Sequence, residues 1–357
     1  MSSDTAPHPD GTKPAFLMGI RKVNWQERRR LLYFQAWIAT LCAYLILAFA
    51  YFWPQDYREE SPSLVVFGWT AFILRTFIYH LGLMFLVIPL VALWRRRWRL
   101  LLVALPALLI AVGPSWWQYR PRSAPSISGK TMKAMSVNLL MINHRTGPII
   151  EEIKSAQPDV LFLQEYTDHW HEAMDAAIGE DFPHRVYITR EDSFGTAVYS
   201  RKPFKGHVER HLKLGSGGEP QVRVVIDFNG RDVALYNIHL LPPWGLEYTI
   251  ETRTEFADLL NVLSREKLPV IIAGDFNFTE RSPQAAALRE IGVLDAQDIG
   301  GWGRGSTWPV SGFFRWIPSI RLDHLYLTGG LTCTDCKTGI GQGSDHRPVI
   351  AKVGFGG

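Results

Sequence analysis

Between Val270 and Asn277 the chain reads Val-Ile-Ile-Ala-Gly-Asp-Phe-Asn, an apolar run that ends in a carboxylate and a carboxamide. Such a run reads as a buried strand stopping at a polar tip. Residues two apart on a strand point to the same side, which sets Asp275 beside Asn277. That pair can hold water, a metal ion or a phosphate oxygen, although Asp and Asn also end strands simply by making turns. The pattern recurs at Asn138, Glu165, His239 and Asp323, and at Asp345 with His346. Each tip alone has an ordinary explanation: a turn cap at Asn138, a helix start at Glu165, a core filler at His239, a pairing of Asp323 with Arg321, a loop at Asp345. Their repetition along one stretch points instead to a single site rich in oxygen donors and imidazoles.

The elements that must position these tips follow from periodicity. Residues 133–140, 159–163, 195–200, 223–228, 232–238, the 270s run, 321–327 and 349–353 read as strands. Residues 149–156, 252–263 and 282–290 read as helices, and the Pro/Ser/Gly-rich stretch 120–130 as a linker. Many strands with few helices predict two stacked sheets flanked by helices, an α/β or α+β sandwich.

The motifs Leu163-Gln164-Glu165, Asn237-Ile238-His239-Leu240, Gly274-Asp275-Phe276-Asn277, Arg321-Leu322-Asp323-His324 and Ser344-Asp345-His346-Arg347-Pro348 stand in an order that resembles the endonuclease/exonuclease/phosphatase superfamily. The resemblance covers residues 130–353. It implies a four-layer α/β sandwich of the deoxyribonuclease I type and Mg²⁺-dependent hydrolysis of a phosphoester, with Mn²⁺ as a possible substitute. By the same resemblance Glu165 is the main metal ligand, with Asn138 and Asp345 nearby. Asp275 is the base that activates water, Asn277 and His239 donate to the phosphate, and His346 clamps it with Asp323 orienting the imidazole. His346 as the base is the other assignment. Mg²⁺ takes oxygen ligands and keeps several waters, so one or two carboxylates suffice.

The front of the chain is different in kind. Residues 1–122 carry 14 Lys+Arg and 6 Asp+Glu, leaving 24 basic and 28 acidic residues behind them, so the net +4 hides a basic front and an acidic body. Three apolar runs, 31–53, 64–94 and 100–117, each fall within or above the roughly 17–25 residues that cross a hydrocarbon core of about 30 Å, and the second is longer than a crossing needs. Within the second, 72–94 is read as the crossing and 64–74 as lying at the outer surface. Basic clusters at residues 21–30 and 95–99 flank these runs on what the positive-inside bias makes the cytoplasmic side. The expected organisation is a cytoplasmic tail (1–30), a three-span anchor (31–119), a linker (120–130) and a catalytic domain (131–357). It places the protein in the plasma (inner) membrane, multi-pass, with the catalytic domain outside the cytoplasm.

An anchor that holds the site against a bilayer favours a lipid or lipid-linked phosphate, pyrophosphate or phosphodiester as substrate. Phe313, Phe314 and Trp316, in an aromatic stretch with a single charge, and Trp244 just after His239, are the candidate substrate-binding and interface residues, with ordinary loop plugs packed on the body as the other reading. A nuclease is the alternative, disfavoured by the acidic body because phosphate neutralisation supplies most nonspecific affinity. A non-catalytic binding protein or sensor is a third class, and nothing in the motifs calls for an obligate protein partner. Cys333 and Cys336 form one CxxC, short of the two pairs a zinc ribbon uses, and leave a small disulfide and two free thiols both open.

Overall fold

The computed structural model describes residues 25–54 and 62–357. Most of the tail, the Arg21 and Lys22 part of the first basic cluster, and the acidic loop at Asp56, Glu59 and Glu60 lie outside the described residues.

Five helices come first: α1 (Trp25–Phe52), α2 (Pro62–Thr76), α3 (Ile78–Phe85), α4 (Val87–Trp94) and α5 (Trp98–Trp117). Helices α1 and α5 are long and apolar enough to cross a membrane; the bent α2–α4 run makes up to three spans if it counts as one. That run is not a single helix. It turns by 62° around Phe77, so the change of direction falls later than residue 72, where the crossing was expected to begin. The Arg97 guanidinium lies 5.0 Å from the Tyr33 ring, which puts the start of α1 and the Arg95–Arg99 turn at the same end of the bundle. The opposite end meets the body. Arg281 donates to the Ala111 carbonyl (2.8 Å) and to Ser115 Oγ (2.7 Å) on α5, and Trp69 Nε1 on α2 donates to the Pro243 carbonyl (2.7 Å).

The body contains two mixed six-stranded sheets. Its strands are β1 (Ile127–Asn138), β2 (Val160–Gln164), β3 (His184–Ile188), β4 (Thr196–Ser200), β5 (Glu209–Leu212), β6 (Gln221–Phe228), β7 (Arg231–His239), β8 (Val270–Asp275), β9 (Leu294–Asp295), β10 (Asp323–Leu327), β11 (Leu331–Thr338) and β12 (Val349–Gly356). One sheet has the order β11-β12-β1-β2-β4-β3, the other β5-β6-β7-β8-β10-β9. Helices α6 (Gly147–Ala156) and α7 (Asp168–Ile178) cover the first; α8 (Gly245–Arg265) and α9 (Pro283–Glu290) cover the second, and the short α10 (Ala296–Gly300) follows β9.

Alternation assigns the side chains to layers. Ala134, Phe162, Val224, Leu235, Ile271 and Leu325 fill the space between the sheets. Their strand neighbours Met135 and Leu161 face Ile153 and Trp170 on the first helical layer. Tyr236 and Ile272 face Phe256 and Leu259 on the second. Both faces of the central strands are therefore buried, which is why they read as continuous apolar runs rather than as alternating ones. The result is helix, sheet, sheet, helix: the expected four layers.

Two expectations need correction. Residues 127–130 are strand, not linker: Ile127 and Ser128 pair with Gly356 and Phe355, and the register shifts between Ser128 and Met132. Gly129, at φ +82°, accommodates that bulge and hides the strand period in the sequence. Helices α7 and α10 and strands β3, β5, β9 and β11 are additional elements. The linker is not loose either, since the Arg122 guanidinium donates to the carbonyls of Gln297 and Gly301.

A polar bridge crosses the otherwise apolar space between the sheets. Gln164 Nε2 donates to Asn237 Oδ1 (2.6 Å), and Asn237 Nδ2 lies within 2.7–2.9 Å of the Leu163 carbonyl, Thr196 Oγ1 and the Ala197 carbonyl. Removing it strands several buried polar groups at once. Asn237→Ala should lower stability by about 2–4 kcal/mol, read by chemical unfolding of the purified protein; wild-type stability would show that the bridge does not tie the sheets together.

Candidate functional site

Strand register brings the polar tips together. In the first sheet Asn138 ends β1 opposite Gln164, and Glu165 follows immediately. In the second, His239 stands opposite Asp275, and Asp275 opposite Asp323. Gly274 permits this pairing: a Cβ there would lie 1.7 Å from the Ile238 carbonyl oxygen. The loop before β12 adds Asp345 and His346, fixed by Ser344, whose Oγ donates to the Asn138 carbonyl (2.8 Å) and accepts from the His346 N–H (3.0 Å).

Glu165 and Asn277 both have left-handed backbones, at φ 57° and 52°. Non-glycine residues there are uncommon and cost roughly 1–3 kcal/mol, so the surrounding bonds must impose the geometry. At Glu165 they are visible. Asn138 Nδ2 donates to Oε1 (3.0 Å) and the Met141 N–H to Oε2 (2.8 Å). The same Asn138 amide donates to Asp275 Oδ2 (3.2 Å), so it holds two carboxylates side by side. Asn277 departs from the same-side reading. Strand β8 ends at Asp275, and Asn277 sits in the following turn because its N–H donates to Asp275 Oδ1 (3.0 Å). Its Nδ2 donates to the Leu240 carbonyl (2.8 Å) and still leaves a second hydrogen.

His346 Nδ1 and Asp323 Oδ2 are 2.7 Å apart and buried. Burial works against the imidazolium, but the carboxylates of Asp323 and Asp275 overcome it and raise the His346 pKa to about 10. The bond therefore fixes a proton on Nδ1 and points Nε2 at Asp275, 3.8 Å away. His239 Nε2 approaches the same carboxylate at 3.7 Å, while its Nδ1 is buried without a partner. Arg321 does not pair with Asp323; its guanidinium faces Glu280, Asp295 and Asp298 instead.

Two groupings have donors for a divalent cation. Asp275, Asp323 and His346 offer ligand atoms within 4.8 Å of one another. Asp323 and His346, however, are already satisfied by each other. Glu165 and Asp345, which line one cavity, are the other candidate donors. Asp345 Oδ2 accepts from Trp308 Nε1 (3.0 Å), and its Oδ1 is buried with no partner. An orphaned carboxylate oxygen in a cavity lined by a second carboxylate fits a hard, oxygen-seeking ion such as Mg²⁺ or Mn²⁺ better.

Most of these groups open into one cavity of about 440 Å³, with Asn138 and Asp323 outside its lining. Its polar wall carries Glu165, His239, Asp275, Asn277, Asp345 and His346. Trp244 lines it as expected. Phe313, Phe314 and Trp316 do not; they form an exposed 3₁₀ turn, 85%, 54% and 79% accessible. The opposite wall was not anticipated: it is Trp69, Phe72 and Ile73 of α2 with Phe77 at the bend after it. The available signal was the second apolar run, longer than one crossing needs. Phe194, whose ring is 5.6 Å from that of His239, and Trp308 were also missed, since nothing local marks them.

A sheet sandwich with acid, amide and imidazole tips converging on one cavity defines the class, and comparison with known proteins agrees. Residues 135–346 match the model of the Endonuclease/Exonuclease/phosphatase family, and the chain belongs to that family. A UPF0294 protein of Vibrio campbellii is 26% identical over 125 residues, which is 34% of this chain and 40% of that relative's length. Truncated TDP2 of Caenorhabditis elegans superposes with a TM-score of 0.52 at 22% identity, covering 64% of this chain and all of that one (100%). TDP2 of D. rerio, solved with a single-strand DNA product, gives 0.50 at 15% identity over 64% of this chain and 100% of its own. At these identities the likeness concerns the fold.

Behind the site, Glu255 on α8 is buried and accepts the Leu241 N–H at Oε2 (2.9 Å). Burial pushes its pKa up to about 8, against the Leu241 hydrogen bond and with help from Glu219 and Glu251. The folded state then holds a proton that the unfolded chain releases near its ordinary value of 4.5, so stability falls as pH rises from there to about 8 and levels off above. Glu255→Gln should flatten this decline, whose slope is at most about 1.4 kcal/mol per pH unit. Thermal unfolding across that range checks it; an unchanged slope in the variant would mean that Glu255 is ionised when folded.

Proposed function

We propose that this chain is a membrane-anchored phosphoester hydrolase, dependent on Mg²⁺ or Mn²⁺, whose catalytic domain faces outward and acts on a phosphate, pyrophosphate or phosphodiester of a lipid or lipid-linked molecule. The observation that carries the lipid part is the two-sided cavity. Catalytic groups form one wall, and an apolar helix continuous with the membrane-type helices forms the other. An amphiphile matches both walls. Both basic turns at the far end of the helical bundle support the outward orientation. The exposed Phe313, Phe314 and Trp316 are then suited to the bilayer interface.

In this reading Glu165 and Asp345 hold the ion, with Asn138 keeping Glu165 in place beside Asp275. When bound, the ion polarises a phosphoryl oxygen and stabilises the leaving oxygen. Asp275 accepts the proton of the attacking water. His239 and the free hydrogen of Asn277 donate to the phosphoryl oxygens as negative charge develops. His346, fixed by Asp323, clamps the phosphate from the other side. The nuclease reading draws on a similarly folded protein having been solved with single-strand DNA product. A test of both offers lipid-linked phosphates and supercoiled plasmid to the detergent-purified protein, with the Asp275→Asn, His346→Ala variant as control. Plasmid nicking without lipid turnover would overturn the lipid substrate.

Two further outcomes are expected. Glu165→Gln should weaken Mn²⁺ binding, followed by electron paramagnetic resonance, by tenfold or more (about 1.4 kcal/mol), whereas Asp323→Asn leaves it nearly unchanged. The reverse order would assign the ion to the Asp275, Asp323 and His346 grouping. The Ile73→Ser, Phe77→Ser variant should lose about tenfold or more in kcat/KM on a lipid-linked substrate while keeping its rate on a soluble phosphodiester. Equal loss on both would exclude α2 as a substrate wall.

A further inference from the structure

A second cavity, about 480 Å³ and open to solvent, lies beside the aromatic turn and is lined by Arg304, Arg315 and Arg347 with Tyr119, Trp316 and Ser319. No Asp or Glu lines it, and among the described residues no carboxylate pairs with any of the three arginines. Arg304 lies over the Tyr79 ring at 4.0 Å, and its Nε is buried without a partner. Arg315 lies over Trp316 at 4.7 Å. Arg347 donates from Nη1 to the Ser306 carbonyl (3.2 Å), the one guanidinium bond it makes among the described residues. Three guanidiniums around one opening, none in an ion pair among the described residues, make a site for a doubly or singly charged phosphate, which they can grip through forked hydrogen bonds.

Location identifies the source of that phosphate. Tyr119 follows α5 by two residues, and Tyr79 belongs to α3, so the cavity abuts the ends of the membrane-type helices. Phe313 and Trp316, highly exposed, flank it. A zwitterionic headgroup would bring an ammonium to a cavity with no carboxylate. Its aromatic faces are also taken: Trp316 lies under Arg315, and Tyr119 meets the edge of Trp302 at 5.0 Å. We infer that this cavity binds the headgroup of an acidic phospholipid and docks the aromatic turn on an anionic membrane surface, separately from the catalytic cavity. The inference rests on the bilayer reading of the anchor, which alkaline extraction of membranes tests independently of it.

The experiment uses the full chain in nanodiscs of phosphatidylcholine, titrated with short-chain phosphatidylglycerol, short-chain phosphatidylcholine or inorganic phosphate, with thermal unfolding as the readout. Phosphatidylglycerol alone should stabilise the wild type. Arg304→Gln with Arg315→Gln, which leaves Arg347 beside His346 untouched, should weaken that binding by about thirtyfold, given the typical contribution of a basic residue at a charged membrane surface. Hydrolysis of a soluble phosphodiester should be unchanged and reports that the variant is folded. Equal stabilisation by the neutral lipid, an equal effect of inorganic phosphate, or an undiminished response in the variant would each overturn the assignment.

Discussion

The site depends on two sheets being held in one register relative to each other, and the Gln164–Asn237 amide pair, with the Asn138–Asp275 bond beyond it, supplies the polar contacts that do this. Apolar packing between sheets is non-directional; it fixes their spacing but tolerates sliding. A buried amide pair tolerates none, because slippage strands hydrogen-bonding groups out of reach of water. Gln164 immediately precedes Glu165, and Asn237 lies two residues before His239. The contact that aligns the sheets therefore aligns the tips of both, at the place where their charges must meet.

Bringing Glu165 and Asp345 to one site with the buried Asp275 and Asp323 concentrates negative charge. The chain offsets it locally. The Asn138 amide separates Glu165 from Asp275, His346 takes up Asp323, and Trp308 satisfies one oxygen of Asp345. What remains unbalanced is the other oxygen of Asp345 and Nδ1 of His239. Buried polar atoms without partners are costly to keep, and they are the atoms a bound ion and phosphate can satisfy.

The hydrophobic front does more than precede the body in sequence. Phe72 of α2 belongs to the same buried cluster as Phe256 and Leu259 of α8, and Arg281 reaches back to α5. The segment that closes the catalytic cavity is thus anchored to the membrane-type helices on one side and to the outer helical layer on the other. Relative movement of body and bundle would change the shape of the cavity itself.

Much of this was legible in the amino-acid order. Strand tips, the apolar front and the ordered motifs are local patterns, set by side-chain period and by the few residue types that metal and phosphate chemistry uses. They placed Asn138, Glu165, His239, Asp275, Asp323, Asp345 and His346, as well as the four-layer sandwich. Elements with mixed or interrupted periods were not legible: β1 before its bulge at Gly129, and α7, whose polar face outweighs Trp170, Met174 and Ile178. Only the tertiary structure decided that Asn277 leaves the strand, that Phe313, Phe314 and Trp316 stand apart from the cavity, and that α2 walls it. Those outcomes depend on contacts between residues far apart in the chain, such as Trp69 with Pro243, which no local period encodes.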